Sequence, residues 1–434
     1  MSNIGREAVT RILWVTARTI FDIRYSTFVR SLRLQRVVPR HHLSRRGLLA
    51  GAFAASVAAL GPRRVLTLSQ PDRCDDPFAG GRLVETLRLS GPGARPAPYG
   101  VKLGGAGLDT RVFTDLSILE PGQLTVPTSR FFVRTAAPAA LAGSSRSPWR
   151  IRIGGLVREP SSIDVDALAS SVRDLGVHVL ECAGNSNPDN FGLMSAAPWA
   201  GVPLAELLSK VAPAPGATHV LVSGVDDPAS AASGSLPGAS WVLPLDRLDG
   251  LRAALATRMN GEPLAADHGQ PVRLLIPNWY GCCWIKWVDE IRLVGADEPA
   301  TSQMLEYAAR THQDGRPALA RDYRPAVVDQ AAMPIRVERW LIAGRPLYRI
   351  VGVLWGGTAP VERLAIRTRT GRPFEPVTLC PPPSTNDGFT LWTHAWRPDA
   401  PGPYDLVLKV EAPTVSQRRL DLFFYTRRVW IDVV

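Results

Sequence analysis

Cysteine is scarce in this sequence, and its spacing excludes several classes of protein. No two cysteines stand in the CxxC spacing of structural zinc sites, and no CxxCH motif is present for covalent attachment of a c-type haem. Five irregularly placed residues are too few for a disulfide framework, although a bond involving the first or the last of them stays open. The five are Cys74, Cys182, Cys282, Cys283 and Cys380.

The N-terminal region lacks a hydrophobic run long enough to cross a membrane. Its most apolar stretch, residues 48–60, is 13 residues long, whereas a spanning helix needs roughly 20. The stretch follows Arg45 and Arg46, and this order of paired arginines, weakly apolar run and small residues resembles a twin-arginine signal. We therefore expect export of the folded protein to the periplasm, a route that favours a cofactor enzyme. The alternative is an arginine pair ahead of a buried helix.

Acidic residues are rare at the N-terminus, and this explains most of the net charge of +11. Residues 1–60 hold ten arginines against Glu7 and Asp22, which places +8 of that charge there. A nucleic-acid-binding protein is expected to carry its basic patch on the folded domain, so nucleic acid is not the expected partner. Residues 4–36 are predicted to form a basic amphipathic helix on a membrane surface, the only membrane contact expected, unless translation starts further downstream.

Proline and glycine are frequent, with 38 and 37 residues, and favour many turns between short strands. Strand and helix patterns alternate up to about residue 325, with strands predicted over 149–153, 177–181, 271–277 and 285–294, and helices over 203–211 and 248–259. Beyond Tyr323 the helical patterns stop. Seven strand candidates follow, at 335–340, 348–355, 361–368, 388–396, 404–411, 420–425 and 429–434, and they predict an immunoglobulin-like sandwich.

The sequence thus predicts an α+β fold followed by an all-β sandwich, in four parts. Residues 1–60 form the basic segment and signal, and residues 61–108 an extension. Residues 109–325 form the catalytic domain, and residues 326–434 the immunoglobulin-like domain.

Cys182 opens the sequence CAGN directly after the strand predicted over residues 177–181. Glycine and asparagine adopt backbone angles that other residues avoid, so such a loop can present the sulfur to a bound group. A thiolate is a soft anionic ligand that suits a transition metal. For CAGN in isolation, the alternative is a buried structural cysteine.

Further motifs carry cationic residues. NGEPL begins at Asn260, His268 and Arg273 lie within HGQPVR, and Lys286 precedes Trp287. Because these residues lie in and around two predicted strands, their side chains can converge on one anion through charge-assisted hydrogen bonds. Each of them alone is as well explained by a solvated cation or a histidine at the edge of the core.

Taken together, CAGN, the WAG element at residues 199–201, NGEPL, HGQPVR and the Lys-Trp pair resemble the sulfite oxidase family in order and spacing, over residues 125–434. The resemblance implies a molybdenum–molybdopterin cofactor, with Cys182 as the protein's sulfur ligand to the metal. It implies that His268, Arg273 and Lys286 bind the molybdopterin phosphate. It also implies two-electron oxygen-atom transfer on a small, anionic sulfur substrate, a separate electron acceptor such as a c-type cytochrome, and a homodimer formed through the sandwich.

Two residues match the substrate side of the family's site. Arg134, in the sequence FFVR, falls where the family places an arginine facing an anionic substrate. Tyr307 lies 21 residues after Lys286, where the family places a tyrosine near the metal. The alternatives are a surface arginine and a core tyrosine. Cys282 and Cys283 stand where the family tends to have small or basic residues, and we interpret them as packing residues, with a redox role as the alternative.

The sequence also departs from the family. Thr135 and Ala136 replace an Asn-His pair, Thr358 stands where a GGGR motif often supplies an arginine, and Pro237 replaces a tyrosine. A site with fewer cations binds a dianion less well, so we expect either weak binding of sulfite or a less charged sulfur substrate.

Two other classes stay open. One is a reductase of a sulfoxide or similar substrate on the same cofactor, against which the C-terminal sandwich counts. The other is a non-catalytic exported protein of the same fold. The intact set of Cys182, His268, Arg273 and Lys286 counts against that alternative.

Overall fold

The computed structural model describes residues 76–91, 99–102, 110–135, 148–186, 191–225, 239–379, 381–411, 418, 420–422 and 424–434. The chain divides into two compact units, Met1–Gln70 and Pro71–Val434, and all of these residues belong to the second. Several sequence predictions lie outside the described residues: the twin-arginine signal, the basic segment over residues 4–36, and the positions of Cys74, Ala136, Pro237 and Cys380.

The described residues form mostly strands. In chain order these are β1 Arg82–Leu87, β2 Thr110–Val112, β3 Val133–Thr135, β4 Arg150–Gly155, β5 Ser161–Asp164, β6 Arg173–Glu181, β7 Met194–Pro203, β8 His219–Gly224, β9 Ser240–Pro244, β10 Ala254–Met259, β11 Glu262–Pro263, β12 Arg273–Leu275, β13 Val288–Val294, β14 Ala331–Ile342, β15 Arg345–Trp355, β16 Leu364–Arg367, β17 Glu375–Pro376, β18 Thr378–Leu379, β19 Thr390–Trp396, β20 Gly402–Val410 and β21 Arg427–Ile431.

Helices are few and short in the described part of the chain. The α-helices there are α1 Leu204–Leu208 and α2 Ser302–Tyr307, and the other helical segments are 3-10 turns of three to six residues. The helix predicted over residues 203–211 is therefore confirmed as α1, but it is shorter than predicted. None of the described helices reaches the length and hydropathy of a membrane-crossing segment.

Two sheets build the first half of the described chain. One has the strand order β5-β4-β13-β8-β9, and only its β4–β13 pair is parallel. The other has the order β11-β10-β7-β6, with β12 also paired to β10. The hairpin of β6 and β7 carries the CAGN loop at its turn, because β6 ends at Glu181 and β7 begins at Met194.

Two further sheets form the C-terminal sandwich, with strand orders β1-β14-β15-β19-β18 and β17-β16-β20-β21. Large aromatic side chains fill its interior, among them Tyr348, Trp392 and Tyr404, each at most 2% exposed. The predicted α+β fold followed by a β sandwich is confirmed. The strand β1 lies in the segment predicted as an extension and pairs with β14, while the three boundaries between the four parts stay predictions.

The helix predicted over residues 248–259 is wrong. Leu248, Leu251 and Leu255 have helical spacing, but Arg252 adopts a left-handed φ of 52° that ends any helix there. Residues from Ala254 onward form β10, which lies between β7 and β12. Pairing with two neighbouring strands outweighs the local pattern.

The strand predicted over residues 420–425 is also wrong, and the other six candidates of the sandwich are strands. The described residues of 420–425 form turns, in which the Tyr425 and Thr426 amides donate to the Leu422 carbonyl oxygen. Phe424 and Tyr425 pack on Phe191, at ring-centroid distances of 5.8 and 5.1 Å. These apolar side chains therefore pack on Phe191 near the CAGN loop and do not form the face of a sheet.

Gly201, the glycine of the WAG element, lies where β7 and β10 approach most closely. A Cβ at this position would contact the Leu255 carbonyl oxygen and would lie 2.6 Å from the Ala256 Cα. Both atoms belong to the backbone of a paired strand, so they cannot move aside cheaply. The sequence requires glycine here for close packing of the two strands.

We expect Gly201→Ala to lower the free energy of unfolding by about 2–4 kcal/mol, as overpacking against backbone does. The matched control is Gly154→Ala in β4, where a Cβ would meet no atom within 4 Å and φ is not positive. That change is expected to stay within about 1 kcal/mol of the parent. Thermal unfolding of the purified variants measures both, and equal stabilities for the two would contradict the packing argument.

Candidate active site

The CAGN loop presents the Cys182 sulfur on a tight turn after β6. The Cys182 amide donates to the Leu193 carbonyl oxygen at 2.9 Å, and the Asn185 amide donates to the Cys182 carbonyl oxygen at the same distance. The Gly184 amide donates to Cys182 Sγ at 3.4 Å. The predicted strand followed by a loop is confirmed, and a backbone N–H points at the sulfur, where it stabilises a thiolate.

Asn185 and Glu181 hold this loop from inside. The buried Asn185 side chain accepts from the Leu193 amide at 3.2 Å and donates to Glu181 Oε1 at 3.4 Å. The Glu181 carboxylate is fully buried, and it also accepts from Trp355 Nε1 and from Arg418 Nη1, both at 2.8 Å. Residues from the sandwich therefore fix the residue next to Cys182.

All six residues proposed from the sequence meet at one cavity of about 160 Å³. They come from five separated stretches of the chain, so their meeting does not follow from any local motif. These six lining residues are Arg134, Cys182, His268, Arg273, Lys286 and Tyr307.

Arg273 and Lys286 lie opposite each other at one end of this set, joined by an antiparallel bridge between their backbones. The Arg273 guanidinium donates to the His268 and Trp284 carbonyl oxygens, both at 3.1 Å. It lies between the rings of Trp199 and Trp284, at 5.5 and 5.7 Å from their centroids. These contacts fix the position and the orientation of the guanidinium plane.

Lys286 and His268 complete this cationic group. Lys286 Nζ donates to the carbonyl oxygens of Arg134, at 3.3 Å, and Asp267. His268 ends a 3-10 helix, and Gly269 follows in the left-handed region. A Cβ at Gly269 would lie 3.0 Å from the Lys286 Cβ, so glycine leaves room for the lysine stem.

Burial disfavours the charged form of all three groups. It lowers the pKa of Lys286 to about 7, that of Arg273 to about 9 and that of His268 to about 4. Among the described residues, neither Arg273 nor Lys286 forms an ion pair with a carboxylate, and the buried Arg273 Nε has no hydrogen-bond partner. The charge of Asp267 acts on His268 and Lys286, but no carboxylate of the described residues is in direct contact with Arg273 or Lys286.

These residues fit the cofactor that the sequence resemblance implies. A phosphate would supply the missing negative charge to Lys286 and Arg273 and an acceptor for the Arg273 Nε donor. The Cys182 sulfur lines the same cavity and offers a soft ligand. The donor set thus matches a molecule with a phosphate at one end and a metal at the other.

Arg134 and Tyr307, the two residues that the family resemblance assigns to the substrate side, line the same cavity. Arg134 is half-buried in β3, and its Nη1 donates to the Thr135 carbonyl oxygen at 3.1 Å. Tyr307 ends α2. Burial raises the pKa of the Cys182 thiol, whereas the Gly184 amide and the charges of Arg134 and Arg310 act in the opposite direction.

Sequence analysis missed several residues of this site. Gln303 and Glu306 line the cavity beside Tyr307, and all three lie on one face of α2 at positions i, i+3 and i+4. This spacing in the sequence could have indicated that Gln303 and Glu306 lie beside Tyr307. Arg310, in the 3-10 helix Ala308–Thr311 that follows α2, was also missed.

Cys282 and Cys283 form a buried 3-10 turn with their sulfurs 3.9 Å apart. Cys282 lines the cavity, while Cys283 is fully buried, and its burial raises the pKa of the thiol far above the usual value. A protonated, inaccessible thiol supports the packing role. Thr358 is exposed and is not among the residues that line the cavity.

The first test of the cationic cluster is Lys286→Met. In cofactor-free protein the folded-state pKa of Lys286, about 7, lies below the unfolded value of about 10.4. The unfolded chain therefore binds more protons between about pH 7 and 10, and the parent gains stability as pH rises through that window. We expect the variant to lack this gain, to be more stable than the parent below pH 7, and to lose most of its bound cofactor.

Thermal unfolding of cofactor-free protein between pH 6 and 10 checks the stability, and metal analysis of the loaded protein checks the cofactor. Lys210→Met, at an exposed lysine, is the matched control. A Lys286→Met variant with the parent's molybdenum content would show that Lys286 does not anchor the cofactor.

Comparisons with known proteins agree with this geometry. The sequence model of the family "Oxidoreductase molybdopterin binding domain" matches residues 138–302, which include Cys182, His268, Arg273 and Lys286. The chain is 34% identical over 165 residues to a protein-methionine-sulfoxide reductase catalytic subunit MsrP from Gluconobacter oxydans, covering 36% of this chain and 51% of that one. It is 26% identical over 285 residues to a nitrate reductase [NADPH] from Emericella nidulans, covering 59% and 32%.

The chain thus spans between a third and a half of the length of these curated relatives. The crystal structure of the sulfane dehydrogenase SoxCD from Paracoccus pantotrophus has the same fold, with a TM-score of 0.56 at 18% identity, covering 86% of this chain and all of that one. Residues 138–302 therefore form a molybdopterin-binding oxidoreductase domain, and the described chain has the fold of SoxCD.

Proposed function

We propose that this chain is a molybdenum-cofactor oxidoreductase that oxidises a small anionic sulfur compound, sulfite or a related one, by two-electron oxygen-atom transfer. The observation that carries the proposal is the single cavity that Cys182 lines together with the cationic group and Arg134. Neither a buried structural cysteine nor a solvated cation explains that arrangement.

The residues divide by role. Cys182 would supply the protein's sulfur to the metal, and Lys286, Arg273 and His268 would hold the phosphate of molybdopterin. When bound, the cofactor supplies the two-electron redox chemistry. The protein contributes a sulfur in a fixed position, because the Gly184 amide and Asn185 hold the loop before any ligand arrives.

On the substrate side, Arg134 would bind the negative charge of the sulfur compound, and the Tyr307 hydroxyl would donate a hydrogen bond beside the metal position. A preorganised guanidinium stabilises charge more effectively in such a cavity than in water, because it does not reorient during the reaction. Trp284 and Trp287, both buried, complete apolar walls that limit the entry of bulk water.

The reacting electrons need a separate acceptor, and we propose a c-type cytochrome. We also propose that the chain forms a homodimer through the sandwich and acts in the periplasm after twin-arginine export. Cell fractionation of the full chain tests the location, and sedimentation of the purified protein tests the dimer.

A second candidate is reduction of a sulfoxide on the same cofactor. Glu306 lines the cavity near Tyr307, and a carboxylate there disfavours an anionic substrate relative to a neutral one. The similarity to MsrP over 165 residues supports the same candidate. A non-catalytic role is less well supported, because every proposed cofactor-binding residue is present and lines the cavity.

Arg134→Gln distinguishes the two activities. For an oxyanion, we expect kcat/KM to fall by about 10²-fold or more, since the loss of one preorganised charge costs about 2.7–4 kcal/mol. Arg134→Lys should recover only part, because an ammonium cannot form a planar two-pronged contact. Kinetics with sulfite, thiosulfate and a neutral sulfoxide, on protein assayed for molybdenum, measure the effect.

Salt dependence provides the control for charge. The KM of a dianionic substrate should rise with ionic strength, whereas that of a neutral substrate should not. An unchanged kcat/KM for the best substrate in Arg134→Gln would make Arg134 a structural residue and contradict its proposed role. If the fully loaded protein oxidises none of these sulfur compounds, the proposed function itself is wrong.

A further inference from the structure

The substrate side of the cavity has little positive charge of its own. Arg273 and Lys286 are committed to the phosphate end, and Thr358 provides no cation and does not line the cavity. Of the other described lining residues, Arg134 is the only cation, and Glu306 contributes a carboxylate. Once a bound phosphate offsets the charges of Arg273 and Lys286, a dianion would meet little net attraction from these remaining residues.

Arg310 lies beside this side of the cavity. A Cβ built on Gly184 would lie 3.5 Å from Arg310 Nη1 and 3.7 Å from Cys182 Sγ, so the guanidinium and the sulfur flank the same glycine. The Arg310 guanidinium also lies over the Tyr307 ring, 5.3 Å from its centroid. The charge is thus stacked on one lining residue, Tyr307, and lies next to the glycine two positions after Cys182, without being part of the cavity wall.

The guanidinium is available for a ligand. Arg310 is exposed to solvent, and it forms no ion pair or hydrogen bond with another residue in the described part of the chain. Stacking on Tyr307 restrains its direction without using its N–H donors. An arginine that is oriented but unpaired is the arrangement expected where an incoming anion completes the hydrogen bonding.

Its position in the fold keeps it there. Arg310 belongs to the 3-10 helix Ala308–Thr311, which continues directly from α2, so the helix that positions Tyr307 also positions Arg310. The Thr311 hydroxyl donates to the Tyr307 and Ala308 carbonyl oxygens, at 3.0 and 3.3 Å, which secures this turn.

We propose that Arg310 is the second cation of the substrate side, a specificity-determining residue that binds a dianionic sulfur substrate together with Arg134 and favours it over a neutral one. The inference rests on the proposed function for the identity of the substrate. In this chain, Arg310 would supply the positive charge that an arginine often provides at the position of Thr358 in the family. An exposed cation at an entrance acts mainly on capture of the substrate, so it affects KM more than kcat.

The test uses the molybdenum-loaded full chain with Arg310→Gln, Arg310→Lys and the control Arg316→Gln, an exposed arginine six residues further on that does not line the cavity. Two measurements are made: the Kd of sulfate, a dianion that is not turned over, by titration calorimetry, and kcat and KM for sulfite and for a neutral sulfoxide.

We expect Arg310→Gln to raise the sulfate Kd and the sulfite KM about 5- to 10-fold, the size expected for one partly exposed charged hydrogen bond. The kcat should stay within about twofold, because the group acts on capture. Arg310→Lys should recover part of the loss. Constants for the neutral sulfoxide should not change, which also shows that Tyr307 has kept its place.

If Arg310→Gln matches Arg316→Gln in sulfate Kd, the inference is wrong. If it lowers activity toward the neutral substrate equally, Arg310 supports Tyr307 and does not select charge, which also contradicts the inference. Loaded protein that oxidises no sulfur compound would refute the proposed function, while the sulfate titration, which needs no turnover, would still decide the role of Arg310.

Discussion

The buried carboxylate of Glu181 is the constraint on which the rest of the site depends. It is the residue immediately before Cys182, it is fully buried, and it is paired with Arg418 and hydrogen-bonded by Trp355. A buried carboxylate is tolerated only when it is paired and hydrogen-bonded, so removing Arg418 would leave an uncompensated charge in the core, and removing Trp355 would take away a hydrogen-bond donor. The strand that carries Cys182 therefore cannot shift without separating these groups, and the C-terminal sandwich becomes part of the active site's support.

The cationic group of Arg273 and Lys286 differs from Glu181 in this respect, because no carboxylate of the described residues pairs with it. Arg273 is buried and Lys286 is half-buried, and burial lowers the pKa of both. An empty cluster of this kind lowers the stability of the fold, and an anionic ligand offsets that cost when it binds. The two halves of the site thus differ: Glu181 fixes the CAGN loop permanently, whereas we expect the cations to be fully stable only with an anionic ligand.

Sequence alone predicted the fold class and the six residues now found around one cavity, because the thiol and the cations stand in motifs of fixed spacing. It failed where tertiary contacts decide. The leucine spacing of residues 248–259 imitates a helix, but pairing with β7 and β12 makes the second part a strand. Glu181 and Arg418 are 237 positions apart, and Arg310 approaches Gly184 of the CAGN loop from a distant segment. No local pattern could join either pair.

The central claim is that Cys182 is the protein's sulfur ligand to molybdenum, and X-ray absorption at the molybdenum edge tests it most directly. The spectrum counts sulfur neighbours without requiring turnover or a known substrate. The account predicts three sulfurs in the loaded parent, two from the dithiolene of molybdopterin and one from Cys182, and two in loaded Cys182→Ser, where a hard oxygen replaces the thiolate. The same sulfur count in both proteins would contradict it.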